Sequence, residues 1–446
     1  MSRLTFMGTR ALPAMVAALL LGGCASYHPA PLPTHPDLAT APTDAAGRPL
    51  TRLNLAQTAR HAVVGDPTLR AARMKAGISA AALYNAGLIP DPSLGYSFDR
   101  VTSTGPGLVN AYSGGLSEDL KWLVTRGAHV DAARAAHLQQ ILEIAWQSWQ
   151  VSQRAQQLYV RLWSLQQQAN LLMRNRMLDR ERQHRVERAL KRGDVTLDTA
   201  AADLVTLTNT ESQLAQVRES VITTRSALNS LLGLRAGATW HLQVPHPAPA
   251  PSPQAVNAAL RTLPRHRPDL LALQAGYRSA DDRYRAAILG QFPALNVGIT
   301  RASDTSGIKT AGIGITLSLP FFNGNRGQIA IAHATRRLLR AQYQARLDMA
   351  ASQARTLSEQ LRTVSATQQT LADRLPELRR LAANASRAFA AGNLGGASYI
   401  AIQSSLIARE LEAIRLDQQH LEGEIALNTL LGHLPAGAAP LKRTPQ

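Results

Sequence analysis

The stretch Ala227-Leu228-Asn229-Ser230-Leu231-Leu232-Gly233 returns as Ala426-Leu427-Asn428-Thr429-Leu430-Leu431-Gly432, 199 residues further on. The same offset carries Arg188-Ala189 and Gly193 onto Arg387-Ala388 and Gly392, and Ala202, Leu207 and Glu211 onto Ala401, Leu406 and Glu410. Upstream the spacing drifts by only a residue or two. Arg126-Gly127 matches Arg326-Gly327, Pro67 and Leu69 match Pro268 and Leu270, and Pro92-Ser93-Leu94 matches Pro293-Ala294-Leu295. Their order and nearly constant spacing exceed what Ala-rich helices share by chance, so the chain reads as one unit written twice.

Each unit has the same anatomy: a short helical stretch, a Pro, two short strands, a very long helix, a Gly turn and a second long helix. No Gly or Pro interrupts Ala128 to Arg192. As one helix that run would extend about 97 Å at 1.5 Å per residue, more than a globular domain requires. The equivalent run from Gln328 to Ala391 is broken only by Pro376, which should kink it or mark a discontinuity. Gly193 and Gly392 read as the helix-hairpin turns. Leu207, Leu214, Val221 and Leu228 recur at sevens, with Leu204, Val217 and Leu231 filling threes, and Ile400, Ile407, Ile414 and Leu421 repeat the period. A sustained seven-residue repeat implies coiled-coil packing. Polar runs such as Gln166, Gln167, Gln168 and Asn170 suggest faces turned to water.

Two pairs of segments change period. Leu295, Val297 and Ile299 alternate with Asn296, Gly298 and Thr300, then Ala311, Ile313, Ile315, Leu317 and Leu319 with Gly312, Gly314, Thr316 and Ser318. Leu94, Tyr96 and Phe98 alternate similarly in the first unit. Period two with one apolar face is a half-buried strand pair, here of nearly the ~9 to 11 residues that cross a bilayer obliquely. Thr102 to Gly107 and Ala302 to Thr310 read as the connecting loops. Four strands cannot close a barrel, and an open edge in lipid leaves backbone groups unsatisfied, so such a chain must oligomerise. A dimer would give eight strands with an interior filled by side chains, a trimer twelve with room for a pore.

Composition narrows the class. The 446 residues are 45% apolar but only 4% aromatic and 17% charged, a mix suited to long helices packed through small side chains. A polytopic helical membrane protein is excluded, since beyond the N-terminus no run approaches the ~20 apolar residues of a helical span. The net charge of +18 comes from Arg spread along helices, without zinc-ligand spacing or an aromatic motif for stacking bases, which argues against nucleic acid. There is no His-Glu-x-x-His helix, Walker loop or Gly-x-Ser-x-Gly elbow, so neither an enzyme nor a resident metal is expected. Asp281 and Asp282 are adjacent and do not face one another on a helix, and His241 and His246 flank a Pro-rich linker.

Arg3 and Arg10 precede the apolar stretch Ala11 to Leu21, the pattern of a secretory signal. It ends in Leu21-Gly22-Gly23-Cys24, and Cys24 is the only cysteine in the chain. The four residues resemble a bacterial lipobox, which implies a covalent diacylglycerol thioether and an N-acyl chain on Cys24. Ala25, rather than an aspartate, follows it and implies the outer membrane. Pro29, Pro31, Pro33, Pro36, Pro42 and Pro49 then mark a stiff, extended tether.

Together these features resemble the outer-membrane efflux protein family, the TolC-like exit ducts of tripartite pumps and type I secretion systems. The lipidated Cys24 fits the branch that serves resistance-nodulation-division pumps. The resemblance covers about residues 50 to 435. It implies a mainly α fold with a membrane β-barrel part: a homotrimer with a twelve-stranded barrel in outer-membrane lipids and a periplasmic barrel of long helices, partnered by a periplasmic adaptor and an inner-membrane pump. No cofactor beyond the lipid is implied. The divisions expected are signal 1–23, lipidated tether 24–50, first repeat 51–234, belt linker 235–254, second repeat 255–433 and tail 434–446. Within them strands are expected at about 93–120 and 294–319, with helices at about 128–192, 194–232, 326–391 and 393–431. Family members close the periplasmic tip with acidic or tyrosine rings after the hairpin glycines, which implies Asp194, Asp198 and Asp203 after Gly193, and Tyr399 after Gly392, as candidate constriction residues. Asp194 reads rather as the cap of the following helix, and Asp198 equally as a first-turn acid favoured by the helix dipole. The alternatives are a periplasmic coiled-coil lipoprotein acting as tether or adaptor, and a duct for protein secretion. Cys24→Ser should abolish incorporation of radiolabelled palmitate, and label that persists would remove the lipobox reading.

Overall fold

The computed structural model describes residues 27–44 and 46–433. The signal segment, Cys24 and the tail 434–446 lie outside the described residues. Residues 27–38 form a unit of their own, exposed throughout and with neither helix nor strand. From Ala39 onward the chain belongs to the main body, so the expected tether ends earlier than residue 50. Ala39 bridges Leu234 in parallel, its N–H donating to Gly233 O at 3.0 Å, and Leu50 packs against a buried core.

The body runs β1 (Arg52–Leu53), α1 (Leu55–Gly65), α2 (Pro67–Gly87), β2 (Ser93–Asp99), β3 (Ala111–Asp119), α3 (Lys121–Arg192), α4 (Leu197–Leu231), β4 (His241–Leu242), α5 (Pro253–His266), α6 (Pro268–Leu289), β5 (Ala294–Ser303), β6 (Lys309–Ser318), α7 (Arg326–Ala390) and α8 (Gly396–Leu430). Pro67 and Pro268 each stand in the first turn of their helix, where the missing N–H costs nothing. Helix α3 begins at Lys121 rather than Ala128, running straight through Gly127, and spans 72 residues, or about 108 Å. Helix α7 continues unbroken through Pro376 for 65 residues, so the expected discontinuity is absent. A single lost hydrogen bond does not interrupt a helix otherwise held along its length by its neighbours.

Both hairpins turn in the same way. Gly193 and Gly392 have φ of +78°, the left-handed conformation that costs a β-carbon dearly and glycine nothing. Asp194 N–H returns to Ala189 O at 2.9 Å, and Asn393 N–H to Ala388 O at 2.8 Å. The duplicated helix ends repeat the device: Gly233 and Gly432 are left-handed, with Leu234 N–H bonded to Asn229 O and His433 N–H to Asn428 O. Their asparagines then hold the belt. Asn229 is fully buried; its Nδ2 donates to Ala236 O (3.2 Å) and Ala238 O (2.9 Å), and its Oδ1 accepts from Trp240 Nε1 (3.0 Å). Asn428 Nδ2 donates to Ala248 O at 3.0 Å.

The principal core lies at this level. Tyr159 of α3 is fully buried against Leu53, Leu228 and Trp240, its ring stacked 6.3 Å from that of Trp240. Its hydroxyl lies 2.8 Å from the carbonyl oxygens of Leu53 and Gln243 and accepts from Gln243 N–H at 2.7 Å, tying α3 to the parallel β1–β4 pair. Burial pushes the Tyr159 hydroxyl up to about 12, against a lowering by its Gln243 hydrogen bond. In the second repeat Arg267, fully buried, makes two hydrogen bonds to Asp269, which also accepts from Arg346 Nε at 2.6 Å. Burial alone would raise the Asp269 carboxyl, but the hydrogen bonds and charges of Arg267 and Arg346 together hold it below the usual carboxylate range.

The heptad seam of α4 against α3 is the line Asp203, Leu207, Thr210, Leu214, Val217, Val221, Thr224, Leu228, buried or half-buried throughout. Leu204, expected on the seam three residues before Leu207, is exposed instead, and polar residues take the alternate positions. Gln168 is likewise buried, with Nε2 donating to Ser164 Oγ at 3.2 Å, because α3 at that height is flanked by both α4 and α8. Asn229→Ala should lower stability by about 2–3 kcal/mol, since it strands the buried Ala238 carbonyl and the Trp240 indole N–H, and a reduced denaturation midpoint would register it.

Candidate membrane face and periplasmic gate

Strands β2, β3, β5 and β6 form one antiparallel sheet in that order, the two repeats joining where β3 pairs with β5. Register sets out two unlike faces. On one, Leu94, Leu116, Ile299 and Ile313 lie in a cross-strand row, with Val297 beside Ile315 and Leu295 beside Leu317. Most of these side chains are exposed, Leu94 at 82% and Ile313 at 76%. On the other face the row is Gly95, Gly115, Thr300 and Gly312, and the next is Ser97, Ser113, Ala302 and Thr310. Aromatic rings bracket the apolar rows: Tyr96, Phe98 and Tyr112 toward the loops, and exposed Phe292, Phe321 and Phe322 toward the helices. Contiguous exposed apolar surface of this kind marks contact with lipid or protein, and aromatic girdles mark bilayer interfaces. Among the described residues no helix is long and apolar enough to cross a membrane.

The strands differ in length from the expectation. Strand β2 has only 7 residues, whereas β5 and β6 have 10 each and shorten their loop to residues 304–308. Asp304 closes that loop, its Oδ1 accepting from Ser306 N–H and Ile308 N–H at 2.9 Å, which lets polar Ser303 and Lys309 continue the ladder. Strands β2 and β6 are the sheet's two outer edges.

At the far end of the helices the four candidate constriction residues separate into two groups. Asp194 and Asp198 are exposed at the first hairpin tip. Asp194 does not cap α4. The cap is Thr196, whose hydroxyl accepts from Thr199 N–H, while Asp194 pairs with Arg192 at 2.7 Å because the turn points it back along α3. Asp198 stands in the first turn of α4, where the helix dipole favours an acid.

Asp203 is fully buried inside the hairpin and forms an ion pair and hydrogen bond with Arg182, so it presents no free carboxylate to a channel. Its position on the α3–α4 seam decides this. Asp179 completes the cluster, 3.1 Å from Arg182 Nη2 and accepting from Thr210 Oγ1 (2.8 Å) and Asn175 Nδ2 (3.0 Å). Asp203 Oδ2 and Gln183 Oε1 are buried without a hydrogen-bond partner. Tyr399 lies flat on Phe389 across the second hairpin, with ring centroids 4.6 Å apart, and the Arg182 guanidinium is 5.9 Å from its ring. Tyr399 and Asp203 therefore meet at Arg182, whereas Asp194 and Asp198 stand apart from it. The sequence reading missed this cluster, although Asp179 and Arg182 at i and i+3, with Asp203 and Thr210 seven apart, carry its signal. Asp281, beside Asp282, pairs with Arg336 at 2.8 Å.

Residues 260–433 match the family model described as outer membrane efflux protein. Among solved structures the fold is similar to CusC, whose structures concern folding and transmembrane channel formation, at 17% identity over 86% of this chain and 93% of that one, with a TM-score of 0.72. It is similar to the outer membrane protein VceC of Vibrio cholerae at 18% identity, 85% and 96% coverage and a TM-score of 0.70. The outer membrane channel CmeC of Campylobacter jejuni matches at 15% identity, 87% coverage of both chains and a TM-score of 0.73. No curated protein sequence gives a significant match. The chain is thus mainly helical with one four-stranded antiparallel sheet, a fold it shares with these solved structures. The sequence match to the outer membrane efflux protein model covers the second repeat, while the fold is shared with these solved structures along nearly the whole chain.

The ion cluster is confined to the first repeat, since the positions equivalent to Asp179, Arg182 and Asp203 are Leu378, Leu381 and Ile402. Arg182→Ala should destabilise the first hairpin by about 3–5 kcal/mol, because two buried carboxylates lose their cation. The triple substitution Asp179→Leu, Arg182→Leu and Asp203→Ile, copied from the second repeat, should recover much of that loss. Hydrogen exchange along Asp179 to Thr210 would distinguish the two outcomes.

Proposed function

We propose that the chain is one of three identical subunits forming a passive exit duct through the outer membrane, fed by an inner-membrane pump through a periplasmic adaptor. The observation that carries this reading is the four-stranded sheet with one exposed apolar face, one face of Gly, Ser and Thr, and a free edge at each end. In lipid every backbone donor and acceptor must be paired, so β6 of one copy requires β2 of the next. Three copies give twelve strands, with apolar rows toward the acyl chains and the small-residue rows lining a lumen whose short side chains leave it open. The long hairpins then surround a continuation of that lumen in the periplasm. Lipidation of Cys24, placed before a Pro-rich tether, supports the branch that serves resistance-nodulation-division pumps. A coiled-coil tether or adaptor would have no use for an exposed apolar sheet.

Specificity for cargo belongs to the pump in this reading, and the duct contributes passage and closure. Asp198 is the better placed acid for closure: it is exposed and near the tip, and three copies converging there would attract cations while repelling one another.

Cross-linking of the purified protein in detergent should give a ladder ending at three subunits, and planar-bilayer recording should show conductance. A stable monomer with unchanged strand content would overturn the shared barrel. Asp198→Ala should weaken cation selectivity and block by trivalent metal hexammines while changing stability by no more than about 0.5 kcal/mol. If only Tyr399→Ala changes conductance and block, the constriction lies at the second hairpin.

A further inference from the structure

The two repeats are not equally covered. Helix α6 packs on two long helices at once. It meets α7, its own repeat's long helix, through Leu270 and Tyr343, and α3, the other repeat's, through Ala272, Ala275 and Leu142, with Ser279 Oγ donating to Ala132 O at 2.8 Å. Helix α2 is its counterpart in the first repeat, 201 residues earlier. Its Leu69 and Ala72 are buried, and Ser79 Oγ lies 2.7 Å from His137 Nδ1 of α3, which reproduces the α6–α7 contact. The second contact is missing. Met74 and Ile78 correspond to Ala275 and Ser279, yet both are 71% exposed where their counterparts are 2% and 3% exposed.

The receiving surface is also present and also uncovered. Leu138 of α3 packs beside Ala275, and its counterpart 200 residues on is Leu338 of α7, 56% exposed, one heptad beyond Ile331, 61% exposed. Lower on the body Leu421 of α8 packs against the principal core, whereas its counterpart Ile222 of α4 is 69% exposed. At Met74, Ile78 and Ile222 of the first repeat the equivalent position of the second is covered, and at Leu338 of the second the equivalent Leu138 of the first is covered. A face that pseudo-symmetry covers within one chain and leaves bare at the chain's boundary is covered by a neighbouring copy related by rotation.

We propose that the face of α2 bearing Met74 and Ile78 packs on the face of α7 bearing Ile331 and Leu338 in the next copy of this chain. This names the surfaces that meet in the ring proposed above and rests on that assembly. The contact lies beneath the β6-to-β2 junction, so strand pairing and helix packing join the same two copies. It also differs chemically from its counterpart within the chain. The internal seam uses Ala275 and Ser279, which allow close approach of the helices, whereas the seam between copies places Met and Ile there and must be wider. The helical ring therefore has alternating narrow and wide seams.

The test uses the full chain, in which Cys24 is the only native cysteine and, as the thioether of the lipobox reading, offers no competing thiol. Met74→Cys combined with Leu338→Cys should give, on oxidation, a ladder of linked copies ending at three, while each single substitution gives none. Met74→Asp leaves the side chain on the surface of an isolated subunit and should lower the trimer fraction about tenfold or more, since a charge in a desolvated contact is costly. If an amine-reactive cross-linker still yields trimers but the cysteine pair does not link and Met74→Asp leaves the trimer fraction unchanged, the seam lies elsewhere and the proposal fails while the assembly stands. A monomer by every cross-linker would remove both.

Discussion

Everything in this fold is arranged around one long helix that is packed by different neighbours at different heights. Helix α3 is 72 residues long and is touched by α2, α4, α6 and α8 at different heights, so no single stripe along it can be the apolar one. Small and polar side chains, among them Ala128, Ala132, Ser152, Ala155 and Ser164, let those neighbours approach from several sides. That explains a chain rich in apolar residues but poor in aromatics. Large rings are kept for places where a helix must be pinned rather than allowed to slide, as Tyr159 and Trp240 do beside the β1–β4 pair.

Duplication supplies the frame, and departures from it carry the specialisation. The glycine turns, the asparagine-held helix ends and the proline-started short helices are the same in both halves, because each meets a backbone requirement independent of what lies around it. The first hairpin then exchanges three apolar positions for Asp179, Arg182 and Asp203. Buried ion clusters rarely gain stability over apolar packing, but polar residues on a heptad seam specify its register. A helix pair as long as α3 and α4 has many near-equivalent registers one heptad apart, and one unique polar contact near the tip distinguishes the correct one.

The sheet divides its chemistry between faces mainly by side-chain size and polarity, with Glu118 and Arg301 flanking the apolar rows on their own face. Gly, Ser and Thr on one side and Leu, Ile and Val on the other make the two surfaces differ in polarity while keeping the backbone ladder regular. Because a β-strand alternates strictly, each residue serves one face only.

The sequence by itself determined whatever depends on local backbone chemistry and on period: the duplication, the turns at Gly193 and Gly392, the helix and strand periods, the alternation of sheet faces and the family resemblance. These follow from residues acting alone or with neighbours a few positions away. Only the tertiary structure decided that Asp203 is buried while Asp198 is exposed, that Thr196 rather than Asp194 caps α4, that Gln168 lies inside, and that Ala39 already belongs to the body. Each depends on which other helix passes at that height. A heptad identifies a seam but not which of its positions are polar, and a carboxylate five residues further along a helix reads the same in sequence whether it meets water or a buried arginine.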